Sequence, residues 1–266
     1  MNFLRRASLK ISETSGMKFV DVNTELNTVV INNETIHVSE LQLDNPIKGT
    51  VYGTLLNYKG ALEKLGEAVN EKPYNAPPIA PVLYIKPINT FNYHCAEIVM
   101  PEGISKLEMG AALGLVIGRQ ASAVDEVTAL TYVAGYTIVN DVSVPHESVF
   151  RPAVQHKARD GFCPIGPWII NRDEIEYPDN LAIRVFINDQ LQQENSTSNM
   201  IRPVSRLLAD VTEFMTLYPG DVLLVGVPEE APLAVVGDKI RIEIAGIGSL
   251  ENIIVSEIES KQRRAI

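Results

Sequence analysis

Apolar positions in this chain alternate with polar ones more often than they recur at helical spacing. Residues 19–22 and Thr28–Ile31 alternate around polar turn residues, and Asn32-Asn33 leads into a further short run over 35–38. This predicts a small β meander over residues 17–48, with Pro46 near its end. Residues 1–16 read as a disordered leader, and Met17 offers an alternative start. Residues 60–70 set Ala61, Leu62, Leu65, Ala68 and Val69 on one side, which predicts a helix. Pro73, Pro77, Pro78 and Pro81 end it and impose an extended path into a short strand over 82–85. Ala111–Ile117 is almost wholly apolar, the pattern of a strand covered on both faces.

Residues 125–135 repeat Val127, Leu130 and Val133-Ala134 and predict a second helix, followed by a strand over 136–139. Residues 181–188 alternate and turn at Asn188-Asp189, a hairpin signal. The stripe Val204, Leu207, Leu208, Val211 and Met215 predicts a helix over 201–215, ended by Pro219-Gly220. Strands are expected over 222–225, Lys239–Ile244 and 253–258. The fold class this predicts is α+β, strand-rich, with a few short helices.

Composition narrows the function. The chain has 266 residues, which suits one main domain plus a small appendage. A formal charge of -10 argues against nucleic acid or an anionic membrane as partner. No apolar run approaches the roughly 20 residues that span a bilayer, and no secretory signal is recognisable. Cys95 and Cys163 make neither a disulfide framework nor a metal cluster, and they fit a reducing cytoplasm.

Candidate chemistry concentrates at Asn140-Asp141 and, sixteen residues past the Asp, at Lys157-Ala-Arg-Asp-Gly-Phe-Cys-Pro-Ile-Gly-Pro-Trp168. A Lys, an Arg and an Asp stand together before Gly161, Pro164, Gly166 and Pro167, a rigid path that can fix charged groups in place. A surface turn with a local ion pair would show the same composition. Cys163 lies beside this segment, but no His stands at a spacing suggestive of a nucleophilic pair. His146 and Glu147 follow Pro145 and are either a loop acid/base pair or exposed loop residues; His156 flanks Lys157.

Together with Leu56-Asn57-Tyr58, Tyr84-Ile85-Lys86-Pro87, Leu115-Val-Ile-Gly118, Phe214-Met-Thr-Leu-Tyr-Pro-Gly-Asp221 and Gly246-Ile-Gly-Ser-Leu-Glu-Asn252, these motifs resemble the fumarylacetoacetate hydrolase family in order and spacing. The resemblance runs from about residue 49 to the C-terminal region. It implies a mixed β-sheet roll over 49–266 and a substrate that is a 2-oxo or 2-hydroxy-dienoate acid. It also implies a divalent metal, usually Mg²⁺, held by two Glu at alternate strand positions and by the Asp after the Asn. Those two positions fall here at Gly110 and Ala112, leaving Asp141 as the matching carboxylate. Glu108 would substitute only if the strand slid by two residues. The family's lid His and Glu fall at Ala61 and Lys64, and a substrate-gripping Arg falls at Pro145. Retained are Lys157 and Asp160 as catalytic candidates, and Lys86 with Arg151 as substrate-binding ones. Lys157 would face a carboxylate or enolate oxygen; Asp160 either orients Lys157 or holds the loop.

The chain resembles in particular the N-terminal half of the two-half isomerase/decarboxylases of homoprotocatechuate (4-hydroxyphenylacetate) breakdown, whose C-terminal half keeps the metal carboxylates. That resemblance implies a cytoplasmic subunit acting on small dicarboxylates or tricarboxylates. Its partner would be a second copy or a metal-competent paralogue. A catalytically degenerate scaffold and a metal-free decarboxylase relying on Lys157 and Lys86 are the alternatives.

Overall fold

In the computed structural model the described residues are 4–12, 14, 16–72, 75–146 and 153–264. Two sheets dominate them. The larger runs in the order Glu34–His37, Thr28–Ile31, Met17–Asn23, Arg5–Ile11, Cys163–Asn171, Val133–Asn140, Ala111–Ile117, Val222–Leu224, Val51–Leu55 and Val82–Lys86. Most of its pairs are antiparallel, but Val222–Leu224 runs parallel to Val51–Leu55 and Cys163–Asn171 runs parallel to Phe91–Tyr93. The smaller sheet has the order Gln190–Ser196, Ala182–Ile187, Lys239–Ile244, Gly248–Ser256 and Glu97–Met100. This is the strand-rich, mixed-sheet architecture expected.

The sheets pack face to face, and the central strand Ala111–Ile117 shows why its sequence is apolar throughout. Successive strand side chains point to opposite faces. Ala111, Leu113, Leu115 and Ile117 enter the main core between the sheets, whereas Ala112 and Val116 join a second core with Val51, Val139, Cys163 and Ile165. Trp168 closes the space between the sheets. It is fully buried, and its indole Nε1 donates to the Ile247 carbonyl at 2.6 Å. The helix Val204–Phe214 lays Val204, Leu207, Leu208 and Val211 on the core, as the stripe predicted.

Several expectations need correction. The leader is not disordered over Arg5–Ile11: that segment is a strand paired with Met17–Asn23 on one side and with Cys163–Asn171 and Leu43–Asp44 on the other. Ala7 and Leu9 are buried and supply the periodicity, which Arg5, Arg6 and Lys10 mask in a sequence read by hydrophobicity alone. The helix expected over 125–135 is a 3-10 turn, Ala129–Tyr132, running into the strand Val133–Asn140. Val127 is exposed, and Val133 and Gly135 are claimed by sheet pairing, so two unrelated patterns mimicked one period. The helix over 60–70 is broken in two, Lys59–Glu63 and the 3-10 segment Gly66–Asn70, because Gly66 takes a positive φ of 49°. The last strand ends at Ser256, where Ser256 and Glu259 cap a terminal helix reciprocally. The hairpin at Asn188-Asp189 matches its sequence signal, both residues adopting positive φ.

Because Arg5–Ile11 is an interior strand, removal of residues 1–16 should cost most of the stability rather than none. The truncated chain is expected to lose its cooperative thermal transition. A transition within about 2 °C of the full chain would contradict the interior placement.

Candidate active site

Three segments meet at Asp141, just past the strand Val133–Asn140. The edge strand Val82–Lys86 sends in Tyr84 and Lys86 from alternate positions, which share a face. The short helix Val154–Lys157 contributes Lys157. Lys86 Nζ stands 3.0 Å from Asp141 Oδ1, and Lys157 Nζ stands 2.6 Å from Oδ2. The Tyr84 hydroxyl also donates to Oδ2. Lys86 and Asp141 are fully buried; the Lys157 side chain keeps 12% of its surface exposed. Lys86 Nζ further donates to the carbonyls of Val142, at 3.1 Å, and Lys157, at 2.7 Å. Two carbonyls and the ion-pair contact with Asp141 Oδ1 thereby hold that buried ammonium.

Burial alone would raise the Asp141 carboxyl. The ammoniums of Lys157 and Lys86, with hydrogen bonds from Lys157 and Tyr84, outweigh it and hold the carboxyl well below the usual carboxylate range. Burial, and then the Asp141 charge, push the Tyr84 phenol well above its ordinary value, so it remains a donor. Two ammoniums against one carboxylate leave one positive charge in excess. The cluster borders, through Asp141 and Lys157, a cavity of about 510 Å³.

The cavity wall carries Lys64, Tyr84, Glu108, His146 and Glu229 beside Asp141 and Lys157. Glu108 lies on the strand Leu107–Glu108, and no strand slip is needed to bring it there. Burial raises its carboxyl above the ordinary value; Lys157 pulls it back, Asp141 adds to the rise, and Lys64 opposes it. Tyr84 was part of a recognised motif but had no assigned role; its alternation with Lys86 on one strand was the available signal. Asp160 is not at this cavity. It is exposed, accepts from Asn89 Nδ2 at 2.7 Å, and lines a separate cavity of about 1030 Å³. The geometry favours loop-holding for Asp160 over orienting Lys157. Arg151 and Glu147 lie outside the described residues.

Other candidates resolve as structure. Cys163 is fully buried in the second core, and burial pushes its thiol up to about 12, which removes it as a nucleophile. Asn57 ties strand ends together: its Nδ2 donates to Val225 O at 2.8 Å, and its Oδ1 accepts from Arg202 N at 3.0 Å. Asp221 caps a turn by accepting from Thr50 N at 2.7 Å and Tyr218 N at 2.8 Å. His94 is buried, accepts from Glu251 N at 3.1 Å, and is lowered by burial to about 4.

The family described as Fumarylacetoacetate (FAA) hydrolase C-terminal matches residues 50–255. The chain belongs to the fumarylacetoacetate hydrolase family. It is 40% identical over 220 residues to the 4-hydroxyphenylacetate degradation bifunctional isomerase/decarboxylase of Escherichia coli, covering 82% of this chain and 50% of that protein. The Salmonella dublin counterpart is 40% identical over 213 residues, with 80% of this chain and 48% of that protein covered. The chain thus spans about half the length of the curated relatives it matches. Its fold superposes on 2-hydroxyhepta-2,4-diene-1,7-dioate isomerase from Mycobacterium marinum with a TM-score of 0.75 and 27% identity, over 96% of this chain and 99% of that one. Maleylpyruvate hydrolase from Sphingobium sp. SYK-6, in complex with manganese (II) ion and pyruvate, gives a TM-score of 0.69 at 25% identity, over 84% and 77%.

That fumarylacetoacetate hydrolase relative holds a divalent cation, but the residues present here do not fit one. A Cβ at Gly110 would lie 2.6 Å from the Asp141 carbonyl oxygen, so the strand has closed over the space a ligating side chain needs. Ala112 faces the second core. Both Asp141 oxygens already face ammoniums, and no cluster of three metal-binding side chains occurs among the described residues. The Mg²⁺ site implied by the family resemblance therefore has no cradle among the described residues.

Replacing Asp141 with Asn would leave two ammoniums buried against a neutral amide. Asp141→Asn is expected to destabilise by about 3–5 kcal/mol in urea unfolding at pH 7. Because the folded carboxyl is depressed, its contribution is complete above about pH 4 and fades as pH falls toward the folded value. The gap between wild type and variant should therefore narrow below about pH 4. A gap under about 1 kcal/mol at pH 7 would mean that the ion pair does not hold the site together.

Proposed function

We propose that this chain is a subunit of a 5-oxopent-3-ene-1,2,5-tricarboxylate decarboxylase / 2-hydroxyhepta-2,4-diene-1,7-dioate isomerase of 4-hydroxyphenylacetate catabolism. It acts on 2-oxo or 2-hydroxy-dienoate diacids and works beside a metal-competent half, fused to it or on a separate chain. The observation that carries this reading is the Lys86–Asp141–Lys157 cluster, which sets two ammoniums against one carboxylate and presents Lys157 at the wall of the cavity. An anionic substrate group is attracted to the Lys157 ammonium, which is mostly buried at the cavity wall. Lys157 faces the carboxylate or the oxygen on which enolate charge develops, while its partner Asp141 Oδ2 also accepts from the Tyr84 hydroxyl. The identity with one half-length of bifunctional isomerase/decarboxylases supports the reaction class, and the lack of a metal cradle supports dependence on a second half.

The test is an assay of 5-oxopent-3-ene-1,2,5-tricarboxylate decarboxylation by a metal-competent paralogue with and without this chain. Added chain is expected to raise the rate severalfold and to comigrate with the paralogue in gel filtration. No gain and no complex would sink the subunit reading. Micromolar binding of 2-oxo diacids without any gain would instead favour a scaffold that retains ligand.

A further inference from the structure

We propose that Glu108 is the proton-transfer group of this cavity, removing and returning a proton at C3 of a bound 2-oxo diacid. The inference rests on the substrate class proposed above and goes beyond it by naming the residue that moves the proton.

The position of Glu108 is fixed by the backbone. Its N–H donates to the Ser143 carbonyl at 2.8 Å, and Ser143 N–H returns a bond to the Glu108 carbonyl at 3.2 Å. A second ladder to Leu233–Ala234 holds its other edge. Glu108 is thereby pinned across from the segment that carries Asp141. Glu108 and Gly110, two apart, both border the cavity; Met109 between them is buried, with Asn140 Nδ2 at 3.5 Å from its sulfur.

Four carboxyls border this cavity: Glu108, Asp141, Glu229 and Glu230. Asp141 is clamped by two ammoniums and a phenol, so it is a poor base. Glu229 accepts from Asn195 Nδ2 at 3.1 Å, and Glu230 is exposed. Glu108 is half-buried and forms no ion pair within 4.0 Å among the described residues. Burial raises its carboxyl above the ordinary value, which favours proton exchange by this group over Asp141. The groups that bear on its charge are Lys157, Asp141 and Lys64, with a hydrogen bond from the Ser143 side chain; His146, Tyr84 and the two glutamates share the wall. The lid positions that carry an acid/base pair in the family resemblance are Ala61 and Lys64 here, so the proton carrier must stand elsewhere.

The step balances without a co-reactant. The Glu108 carboxylate takes a proton from C3. The C–H electron pair forms the C2–C3 double bond, and the carbonyl pair moves onto the C2 oxygen, whose charge faces the Lys157 ammonium. Return of the proton from the Glu108 carboxyl regenerates the 2-oxo acid.

Hydrogen–deuterium exchange isolates this step. The full chain is incubated with 2-oxoadipate in deuterated buffer containing excess chelator. Loss of the C3 proton signal is followed by NMR, and binding is measured in parallel by calorimetry. Wild type is expected to exchange faster than buffer. Glu108→Gln should lose about 100-fold or more of that rate with affinity changed less than about threefold, and Glu108→Asp should recover part of it. Exchange by Glu108→Gln at the wild-type rate overturns the assignment. So does loss of affinity in both variants, which would make Glu108 a binding or folding residue. Wild type that binds 2-oxoadipate without exchanging it overturns the assignment while leaving the proposed substrate class intact. Failure of wild type to bind removes the substrate class and the assignment with it.

Discussion

A carboxylate buried without compensation is among the most destabilising groups a protein can contain, and Asp141 lies fully inside this one. Its burial is tolerable because Lys86 and Lys157 approach its two oxygens from different segments. That arrangement constrains much around it. Lys86 sits on an edge strand hydrogen-bonded in the sheet to Val51–Leu55 alone, and its ammonium also holds the carbonyls of Val142 and Lys157. One side chain thus ties the sheet margin to the loop after Val133–Asn140 and to the short helix Val154–Lys157. The same contacts that stabilise the fold hold the Lys157 ammonium at the cavity wall in a chain whose net charge is -10. Substrate recognition and structural cohesion here draw on the same three charges.

The second constraint is the double-faced strand Ala111–Ile117. One face fills the space between the sheets; the other packs Ala112 and Val116 into a smaller core, and just before the strand Gly110 lies against the Asp141 carbonyl. Gly110 and Ala112 belong to the second face. At Gly110 a larger residue would meet the Asp141 carbonyl, and Asp141 is balanced by ammoniums from two other segments.

About half of the strands are legible because alternation, Asn-Asp turns and the apolar central run are local signals; Val51–Leu55, Glu97–Met100 and the central strand Cys163–Asn171, read as a rigid charged segment, are not. The interior strand Arg5–Ile11 was hidden because flanking cations lower its mean hydropathy although Ala7 and Leu9 point inward. The false helix over 125–135 arose where an exposed Val127 happened to stand in phase with residues of the next strand. Asp141, Lys86 and Lys157 were named from sequence, and the structure brings all three together. Sequence could not show that Asp160 turns to Asn89, nor that Glu108 reaches the cavity without a slip. Both depend on where a loop and a two-residue strand are anchored, and no periodicity encodes that.

The collision at Gly110 has a genetic implication. A single codon change there cannot recover an ion-binding acid, since any side chain meets the carbonyl of the opposite segment before it reaches open space. Recovery would need the loop beyond Asn140 to withdraw at the same time, a coordinated double event. For mutational drift the chain therefore sits behind a one-way gate, and laboratory attempts to reload it with magnesium should begin by redesigning the loop before the strand.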